Sequence, residues 1–478
     1  MRAKRPPCLS RSRSHAVAFD AASGEKACSM KTAIIGAGAT GLAAAYILAR
    51  AGSDVTVVEA SPRAGGLMST FDVGGDHPLE TFYHHFFTHD AEIAWLLGEL
   101  GLEDRVAYRD STMGMFRGGE LYPFDGPLDL LRFRAIGLVA RLRFGASSAV
   151  LAYEKSFSDA EDVRCLDWFE RWAGAEATRA IWRPMLRIKF GDAAPDIPLA
   201  WIAGRLRQRV RSREGGVERL GYLDGSLQVL VDRLLEKLAA LGVDVRLGAP
   251  TTALLCDDGV VRGVATDGDR IDADRVVSTV PTPVLATLVE PIDAAYAGEL
   301  SRVGYMGAIC TILDLSESLS DVYWTNVADD GYDFGGVIEH TNLVPPERYG
   351  GSNLVYLSRY MRHDNPLWSM TDEELLDRQL DQLGRLYGRD VRSMVGRSWI
   401  FRGRYAAPLT ELGFHRKIPA CRSPLKNLFV SSIAHVYPDE RSVNNSIRIA
   451  AEAVRAMGLA GAADAVPRGA SLAAKYGF

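Results

Sequence analysis

The stretch of the chain that most constrains its fold is residues 31–66, KTAIIGAGATGLAAAYILARAGSDVTVVEASPRAGG. A short apolar run leads through three glycines into an alanine-rich segment, and a second apolar run then ends at Glu59. Short apolar runs on either side of a glycine turn and an alanine-rich segment are typical of buried parallel strands joined by a helix. The stretch therefore predicts a strand at 32–35, a helix at about 40–51 and a second strand at 54–59.

Each glycine of the turn has its own physical reason. Gly36 lets the backbone leave the strand with a positive φ, Gly38 removes a side chain so that a pyrophosphate can approach, and Gly41 lets the helix pack closely on the strand. The first residues of the helix, Ala39 and Thr40, then present free N–H groups to the phosphates, where the helix dipole also favours negative charge. This pattern predicts a dinucleotide-binding turn.

The residues after the second strand extend this motif. Glu59, 18 residues beyond Gly41, occupies the place where a carboxylate accepts hydrogen bonds from the ribose hydroxyls of an adenosine. Arg63, Gly65 and Gly66 then complete Glu-x-x-x-Arg-x-Gly-Gly. This segment resembles the extended fingerprint of FAD enzymes of the amine oxidase, protoporphyrinogen oxidase and phytoene desaturase group.

The resemblance implies how this segment would meet the cofactor. In that group the arginine and the paired glycines lie along the pyrophosphate and the flavin edge, and we expect the neighbouring Ala60 and Leu67 to contact the cofactor too. A nicotinamide dehydrogenase has no need of the second segment, so the resemblance favours FAD over NAD. No cysteine stands where some amine oxidases attach flavin covalently, which implies non-covalent FAD.

An α/β pattern returns after residue 221. It predicts a helix from Gly225, a strand at 244–247, two strands at 252–257 and 260–266, and a further strand that ends in a proline turn at Pro281. By the same resemblance, the backbone near Thr251 would lie at the adenine. An ordinary αβ piece of core explains this pattern equally well.

The last informative segment is residues 427–446, a strand and polar loop followed by a helix. It resembles the final FAD segment of the group, where a loop and a helix N-terminus meet the pyrophosphate and the flavin O2 edge. Arg441 offers a planar fork, and Asn444, Asn445 and Ser446 offer donors and caps. In detail it is closer to UDP-galactopyranose mutase and to the bacterial protoporphyrinogen-oxidase-like proteins. A surface loop capped by asparagine is the alternative.

Three residues are candidates for catalysis. His84 and His85 follow the flavin segment and can supply an acid or base, with Glu80 orienting one of them. A histidine pair that only hydrogen-bonds its loop is an equally good interpretation. Tyr405 lies in a polar, aromatic run that we place toward the active cavity. Adjacent histidines point in different directions and have no third ligand, so no metal site is predicted.

These observations predict an α/β protein with a Rossmann-like FAD-binding domain and an inserted α+β substrate domain. The FAD-binding domain is expected at 30–105, 216–295 and 406–465. The substrate domain is expected at 106–215, a mostly helical piece, and at 296–405, a piece that contains a sheet. Residues 1–29 are expected to be a disordered extension or an upstream start ahead of Met30, and residues 466–478 a C-terminal tail.

Composition limits the partners and the cellular location that we expect for this protein. The net charge of −5 argues against a nucleic-acid partner, and the scattered cysteines imply neither a zinc site nor a disulfide framework. A cytoplasmic location is the default expectation. The arginine-containing helical pattern at 128–153 is compatible with peripheral membrane contact or with solvated and paired arginines. The expected partner is a small-molecule substrate, and the oligomeric state is left open.

The resemblance implies an FAD-dependent oxidoreductase that transfers hydride between an organic substrate and flavin N5. The reaction would create a C=C or C=N bond or run as the reverse reduction. The alternative is a flavin-dependent sugar-nucleotide mutase, similar to UDP-galactopyranose mutase, with no net redox change. A third hypothesis is a non-catalytic protein that only holds flavin.

Overall fold

A computed structural model describes residues 30–153, 160–469 and 471. The extension predicted at 1–29 lies outside the described residues, as does most of the tail predicted at 466–478.

The fold is built on a five-stranded parallel sheet. In spatial order its strands are Asp244–Arg246, Asp54–Val58, Lys31–Ile35, Arg275–Ser278 and Leu428–Val430. Helices Ala39–Arg50 and Val443–Ala456 pack on one face. Helices Thr282–Val289 and Ala294–Ser301 cover the other. Both faces are buried, which explains why these strands are continuous apolar runs rather than alternating ones.

A seven-stranded sheet forms the centre of the second region. In spatial order its strands are Val395–Pro408, Tyr305–Leu315, Asn353–Met361, Gly336–Glu339, Trp324–Val327, Met113–Arg117 and Glu120–Pro123. Strand Met113–Arg117 pairs in parallel with Trp324–Val327. One sheet therefore joins the two sequence pieces that we expected to form the substrate region.

Smaller sheets and the helices complete the described fold. The other strands are Phe86–Phe87, Val217–Leu223, Val106–Asp110 and Arg213–Glu214; Thr251–Asp257, Val260–Thr266 and Arg270–Asp272; and Thr70–Phe71 and Leu79–Glu80. The other α-helices are Ala91–Leu100, Pro127–Arg132, Leu138–Tyr153, Cys165–Trp172, Ala175–Ala177, Arg183–Phe190, Leu199–Arg211, Ser226–Ala240, Pro366–Ser369, Asp372–Tyr387 and Ala460–Ala463.

Two local predictions were wrong. The helical pattern at 128–153 is two helices, because Phe133 leaves helical geometry and buries its ring against Tyr122, with the ring centroids 4.9 Å apart. The sequence also predicts a helix with its cap at Thr88 or His89, but helix Ala91–Leu100 starts after Asp90. The Asp90 carboxylate accepts instead from the Phe87 N–H, 2.8 Å away.

Within residues 30–153, 160–469 and 471, no helix combines the length and apolar character needed to cross a bilayer.

Candidate functional site

The glycine turn has the geometry that its sequence predicts. Gly36 has a φ of +104°, and a Cβ on Gly41 would lie 1.9 Å from the Gly36 carbonyl oxygen. Both glycines are therefore required by the fold itself. Gly38 differs, because a Cβ there would meet no protein atom within 4 Å. Its absent side chain leaves space for a ligand group rather than for protein.

The second glycine pair packs directly on the first turn. The Gly65 N–H donates to the Ala37 carbonyl at 2.9 Å, and a Cβ on Gly66 would lie 3.3 Å from Gly38 Cα. Gly65 and Gly66 have φ values of +117° and +58°, which side chains disfavour. Two segments separated by more than twenty residues thus form one side-chain-free surface.

The flanking residues of this surface differ in exposure. Ala60 and Arg63 are exposed, and the Arg63 N–H donates to Ser61 Oγ at 3.1 Å. Leu67 is half-buried and points toward Gly403 on the long strand Val395–Pro408. The segment after Gly66 therefore connects the parallel sheet to the seven-stranded sheet.

Glu59 lies at the edge of the same turn. Its Oε2 accepts from the Ala37 N–H at 2.7 Å and its Oε1 from the Ser61 N–H at 2.8 Å. Each oxygen keeps a second lone pair, so the carboxylate can still accept from a ribose hydroxyl. Thr251 follows a segment whose Ala249 N–H bonds the Glu59 carbonyl at 2.8 Å, and its own Oγ1 is buried with no hydrogen-bond partner.

The helix that begins at Val443 brings a second helix N-terminus to the carboxyl edge of the parallel sheet. Helices Ala39–Arg50 and Val443–Ala456 each follow a strand of the parallel sheet, so both start at the carboxyl edge of that sheet. The N-cap of the first helix is Gly38, which has no side chain to accept from the first-turn N–H groups, so these groups remain available. Two helix N-termini beside a side-chain-free glycine surface fit a dinucleotide with its negatively charged phosphates.

The polar side chains expected at this helix start have other roles. The cap is Ser442, whose Oγ accepts from the Asn445 N–H at 3.1 Å. Asn444 instead accepts from the Ile93 N–H at 2.9 Å and so caps helix Ala91–Leu100. Asn445 Nδ2 donates to the Glu440 carbonyl at 2.6 Å, and Ser446 Oγ to the Ser442 carbonyl at 3.0 Å. These side chains already have protein partners, so the helix can offer a ligand chiefly its backbone N–H groups.

Arg441 precedes this cap and is half-buried. Its guanidinium donates to the Ala406 carbonyl and lies over the Tyr360 ring, 5.0 Å from the centroid. Burial lowers the pKa of Arg441, but Tyr360 and Glu440 outweigh burial and raise it, so the side chain stays charged.

His84 and His85 are neutral at pH 7. Burial lowers the pKa of each imidazole to about 4. His84 Nδ1 lies 2.7 Å from the Phe82 carbonyl, so this nitrogen carries the proton and Nε2 is an acceptor. His85 Nδ1 is buried without a partner, and its ring packs edge-on against Phe87 with the centroids 5.3 Å apart. At pH 7 each imidazole therefore has no imidazolium proton to donate and can accept one, although burial also makes it a weak base.

The predicted partnership between Glu80 and these histidines is wrong. Glu80 is fully buried, and its carboxylate accepts from the Tyr222 hydroxyl at 2.6 Å and from the Leu227 N–H at 2.7 Å. It therefore holds the start of helix Ser226–Ala240. Tyr405 has other neighbours again, since its ring stands edge-on to Tyr305 with the centroids 5.6 Å apart.

Sequence reasoning missed a group of charged side chains beside Arg441. We use the name cationic cluster for Lys189, Arg205 and Arg441. Lys189 Nζ lies 3.7 Å from Glu440 Oε1, and Arg205 forms an ion pair with Glu440 Oε2. Arginine recurs at every second residue from 205 to 211, a spacing that spreads the charge over more than one face of a helix and predicts no single site. Nothing in the local sequence distinguishes Lys189. Only the packing of helices Arg183–Phe190 and Leu199–Arg211 brings these residues to the C-terminal loop.

Comparison with known proteins supports the α/β fold described above. A family model described as flavin containing amine oxidoreductase matches residues 39–439. The 15-cis-phytoene desaturase of Arabidopsis thaliana is 23% identical over 433 residues, 84% of this chain and 75% of that protein. A putative protoporphyrinogen oxidase from Exiguobacterium superposes with a TM-score of 0.71 at 17% identity, over 90% of this chain and 99% of that one.

A reduced UDP-galactopyranose mutase superposes with a TM-score of 0.72 at 15% identity, over 94% of this chain and 99% of that one. These structural likenesses confirm the predicted Rossmann-like α/β fold class. Because the family match spans most of the sequence, the chain belongs to the flavin containing amine oxidoreductase family and is a flavin-dependent oxidoreductase.

Proposed function

We propose that this protein is an FAD-dependent oxidoreductase that transfers hydride between a C–H bond of a small organic substrate and the flavin. The observation that carries the proposal is the contact between the two glycine segments at the carboxyl edge of the parallel sheet. The first segment, with Glu59, suits an adenosine diphosphate, and the second continues the binding surface beyond the pyrophosphate. A ligand longer than a mononucleotide is needed to cover both.

In this proposal the cofactor supplies the hydride acceptor or donor, and the protein binds and orients the reactants. Gly36 to Gly41 with Gly65 and Gly66 hold the phosphates and the near edge of the ring system. His84 Nε2 accepts the proton that accompanies hydride removal, since burial keeps this imidazole neutral. The seven-stranded sheet and its helices shape the substrate site and exclude water.

Non-covalent attachment is supported by the state of three of the four described cysteines. Cys165 and Cys310 are fully buried, and burial raises the pKa of the Cys165 and Cys421 thiols to about 12. Thiols with such a pKa are poor nucleophiles at neutral pH. Denaturation with acid or heat should therefore release the whole flavin into the supernatant, and flavin that stays with the precipitated protein would contradict non-covalent binding.

Anaerobic reduction of the bound flavin tests the reaction. The holoprotein is mixed without oxygen with an amine, a polyene and a porphyrinogen, and the flavin absorbance near its visible maximum is recorded. We expect bleaching with a substrate of one class and recovery of colour when an electron acceptor is added. Unchanged flavin absorbance with every class of substrate would contradict the redox proposal.

A sugar-nucleotide mutase is the second candidate, because the cationic cluster could bind a pyrophosphate. A mutase acts only while its flavin is reduced and consumes no electron acceptor. Turnover of UDP-galactopyranose after dithionite treatment, without any acceptor, would favour this candidate over the first.

We also propose that helices Pro127–Arg132 and Leu138–Tyr153 contact an anionic membrane surface. Of the eleven exposed large apolar side chains among the described residues, seven lie on these two helices. They are Leu128, Leu131, Leu138, Val139, Leu142, Val150 and Tyr153, with exposed fractions from 44% to 71%. Exposed arginines stand among them at Arg132, Arg134 and Arg143. This combination of apolar and basic groups suits the interface of a bilayer with anionic lipids.

Co-sedimentation with vesicles tests this surface. We expect binding to phosphatidylglycerol-containing vesicles, weaker binding to phosphatidylcholine alone, and release by the double substitution Val139→Asp with Leu142→Asp. Leu241→Asp, at another exposed apolar residue, is the matched control and should bind normally. Equal sedimentation of all variants would contradict the membrane proposal.

A further inference from the structure

The cationic cluster carries more positive charge than its surroundings neutralise. Arg205 and Lys189 share the single carboxylate of Glu440, whereas Arg441 donates to the Ala406 carbonyl. Arg209 and Glu218 lie nearby and neutralise each other's charge, with Arg209 Nη1 2.8 Å from Glu218 Oε2. At their formal charges, these three basic side chains face one carboxylate, so two positive charges are left over.

This excess charge is largely removed from water. The side chains of Lys189, Arg205 and Glu440 are 22%, 18% and 22% exposed. Arg205 Nε is buried and has no hydrogen-bond acceptor. Burial and the neighbouring Arg205 lower the pKa of Lys189, the response expected of a cation held among cations. A buried donor and a buried surplus of charge are both destabilising unless an acceptor arrives.

Two aromatic rings hold the cations in place without neutralising them. The Arg205 guanidinium carbon lies 4.0 Å from the centroid of the Trp201 ring, and Lys189 Nζ lies 5.5 Å from the same centroid. The Tyr360 ring is 5.4 Å from Lys189 Nζ and 5.0 Å from the Arg441 guanidinium carbon. The donors are therefore preorganised before any ligand binds.

The position of the cluster connects it with the proposed reaction. Arg441 precedes Ser442, the cap of helix Val443–Ala456, and its charge adds to burial in lowering the pKa of His84. Lys189 and Arg205 come from helices Arg183–Phe190 and Leu199–Arg211 of the other region. The cluster thus lies between the C-terminal loop and the substrate region, beside the candidate base.

We propose that Lys189, Arg205 and Arg441 bind a carboxylate or phosphate group of the substrate. This inference rests on the proposed function and specifies the class of its substrate. Such an oxyanion accepts from Arg205 Nε and from Lys189 Nζ, and it supplies the negative charge that Glu440 alone does not. A substrate made only of hydrocarbon would leave both the donor and the surplus charge unmatched.

Calorimetric titration of the oxidised holoprotein tests the proposal. Inorganic pyrophosphate and glutarate serve as separate probes for phosphate and carboxylate, at constant ionic strength maintained with sodium chloride. We expect at least one probe to bind, and Lys189→Gln and Arg205→Gln each to weaken its binding by about tenfold or more. Arg205→Lys should retain part of the affinity because it keeps the charge.

Glu440→Gln should change the affinity for the probe in the opposite direction. Removing the carboxylate that competes with the probe should tighten binding by about tenfold, whereas a purely structural role for Glu440 predicts no gain. Arg233→Gln is the matched control, because Arg233 forms an exposed ion pair with Glu236 on helix Ser226–Ala240. Its affinity for the probe should equal that of the unmodified protein.

Three outcomes would overturn the proposal. They are no binding of either probe to the holoprotein, equal binding by all variants, and binding that occurs only after the flavin is removed. The last would mean that the cluster serves the cofactor. Because probe binding needs no turnover, it is separate from the bleaching assay, and failure of the redox proposal leaves this measurement interpretable.

Discussion

The substitution Gly38→Ala separates the fold from cofactor binding. A Cβ at residue 38 meets no protein atom within 4 Å, and the backbone there is extended, with φ −77° and ψ −176°. Alanine adopts this conformation freely, so the folded chain accommodates the methyl group. Alanine restricts the unfolded chain, which stabilises the fold by about 0.4–1 kcal/mol, but Gly38 is the N-cap of helix Ala39–Arg50, where alanine is less favourable than glycine by a similar amount. We therefore expect the free energy of unfolding of the flavin-free protein to change by less than about 1 kcal/mol.

Cofactor binding, in contrast, should be weakened. The added methyl group occupies the space beside the first-turn N–H groups of helix Ala39–Arg50, where the pyrophosphate is proposed to lie. Loss of one hydrogen bond from an N–H to a charged group costs about 1.5–3 kcal/mol. This corresponds to a Kd for FAD that is roughly 10 to 150 times larger.

The assay is reconstitution of the flavin-free protein with FAD, followed by the change in flavin fluorescence, together with urea unfolding of the same sample. Gly98→Ala is the matched control. Residue 98 lies in helix Ala91–Leu100, and a Cβ there also has no protein atom within 4 Å. This variant should gain about 0.5–1 kcal/mol of stability and bind FAD normally. An FAD affinity of Gly38→Ala within twofold of the unmodified protein would refute the reasoning.

Three further predictions concern buried groups. Gly41→Ala, whose Cβ would lie 1.9 Å from the Gly36 carbonyl oxygen, should prevent formation of the native turn, as measured by loss of flavin retention and of cooperative unfolding. Glu80→Ala leaves two buried donors without an acceptor and should cost about 2–6 kcal/mol in urea unfolding, whereas Glu80→Gln, which keeps an acceptor, should recover most of this loss. Burial lowers the pKa of His340 to about 3 and that of His435 to about 4, so the unfolded chain binds more protons than the native protein between about pH 6.5 and 4. Each of these two histidines should therefore lower the free energy of unfolding by about 2 kcal/mol when the pH falls from 7 to 5. His435→Gln should reduce the slope of the free energy of unfolding against pH, and an unchanged slope would contradict this prediction.

The pH prediction has opposing contributions, which the variant isolates. Burial raises the pKa of Asp90 to about 7, so the folded protein holds this proton where the unfolded chain has lost it. Asp90 therefore stabilises the protein at low pH and loses that effect as the pH rises toward 7. Comparing the unmodified protein with His435→Gln at each pH removes the Asp90 contribution, since both proteins contain it.

Much of the nucleotide-binding half was predictable from local sequence. The strand, turn and helix after Lys31 follow from glycine geometry and apolar runs over a few residues, and the strands are observed at Lys31–Ile35 and Asp54–Val58. The spacing of Thr371 and Glu374 likewise predicts a capping box, and the structure confirms it, because both partners lie within one helical turn. Such features depend on neighbours in sequence and need no knowledge of the rest of the fold.

Long-range partners could not be read from the same patterns. Asn444 was expected to face the cofactor, yet it caps a helix more than 350 residues earlier in the chain. Glu80 was expected to orient a histidine, yet it bonds Tyr222 and the Leu227 N–H. A polar side chain satisfies whichever donor packing places beside it, and spacing along the sequence does not specify that donor.

The sequence by itself determined the glycine turn at the edge of the parallel sheet, because positive φ angles and missing side chains are properties of glycine that no distant residue can replace. The tertiary structure decided the rest of the site. Lys189, Arg205 and Glu440 lie on three separate segments and carry no shared motif. Only the packing of two helices against the C-terminal loop brings their charges within a few ångströms, where Coulomb interactions and burial become strong.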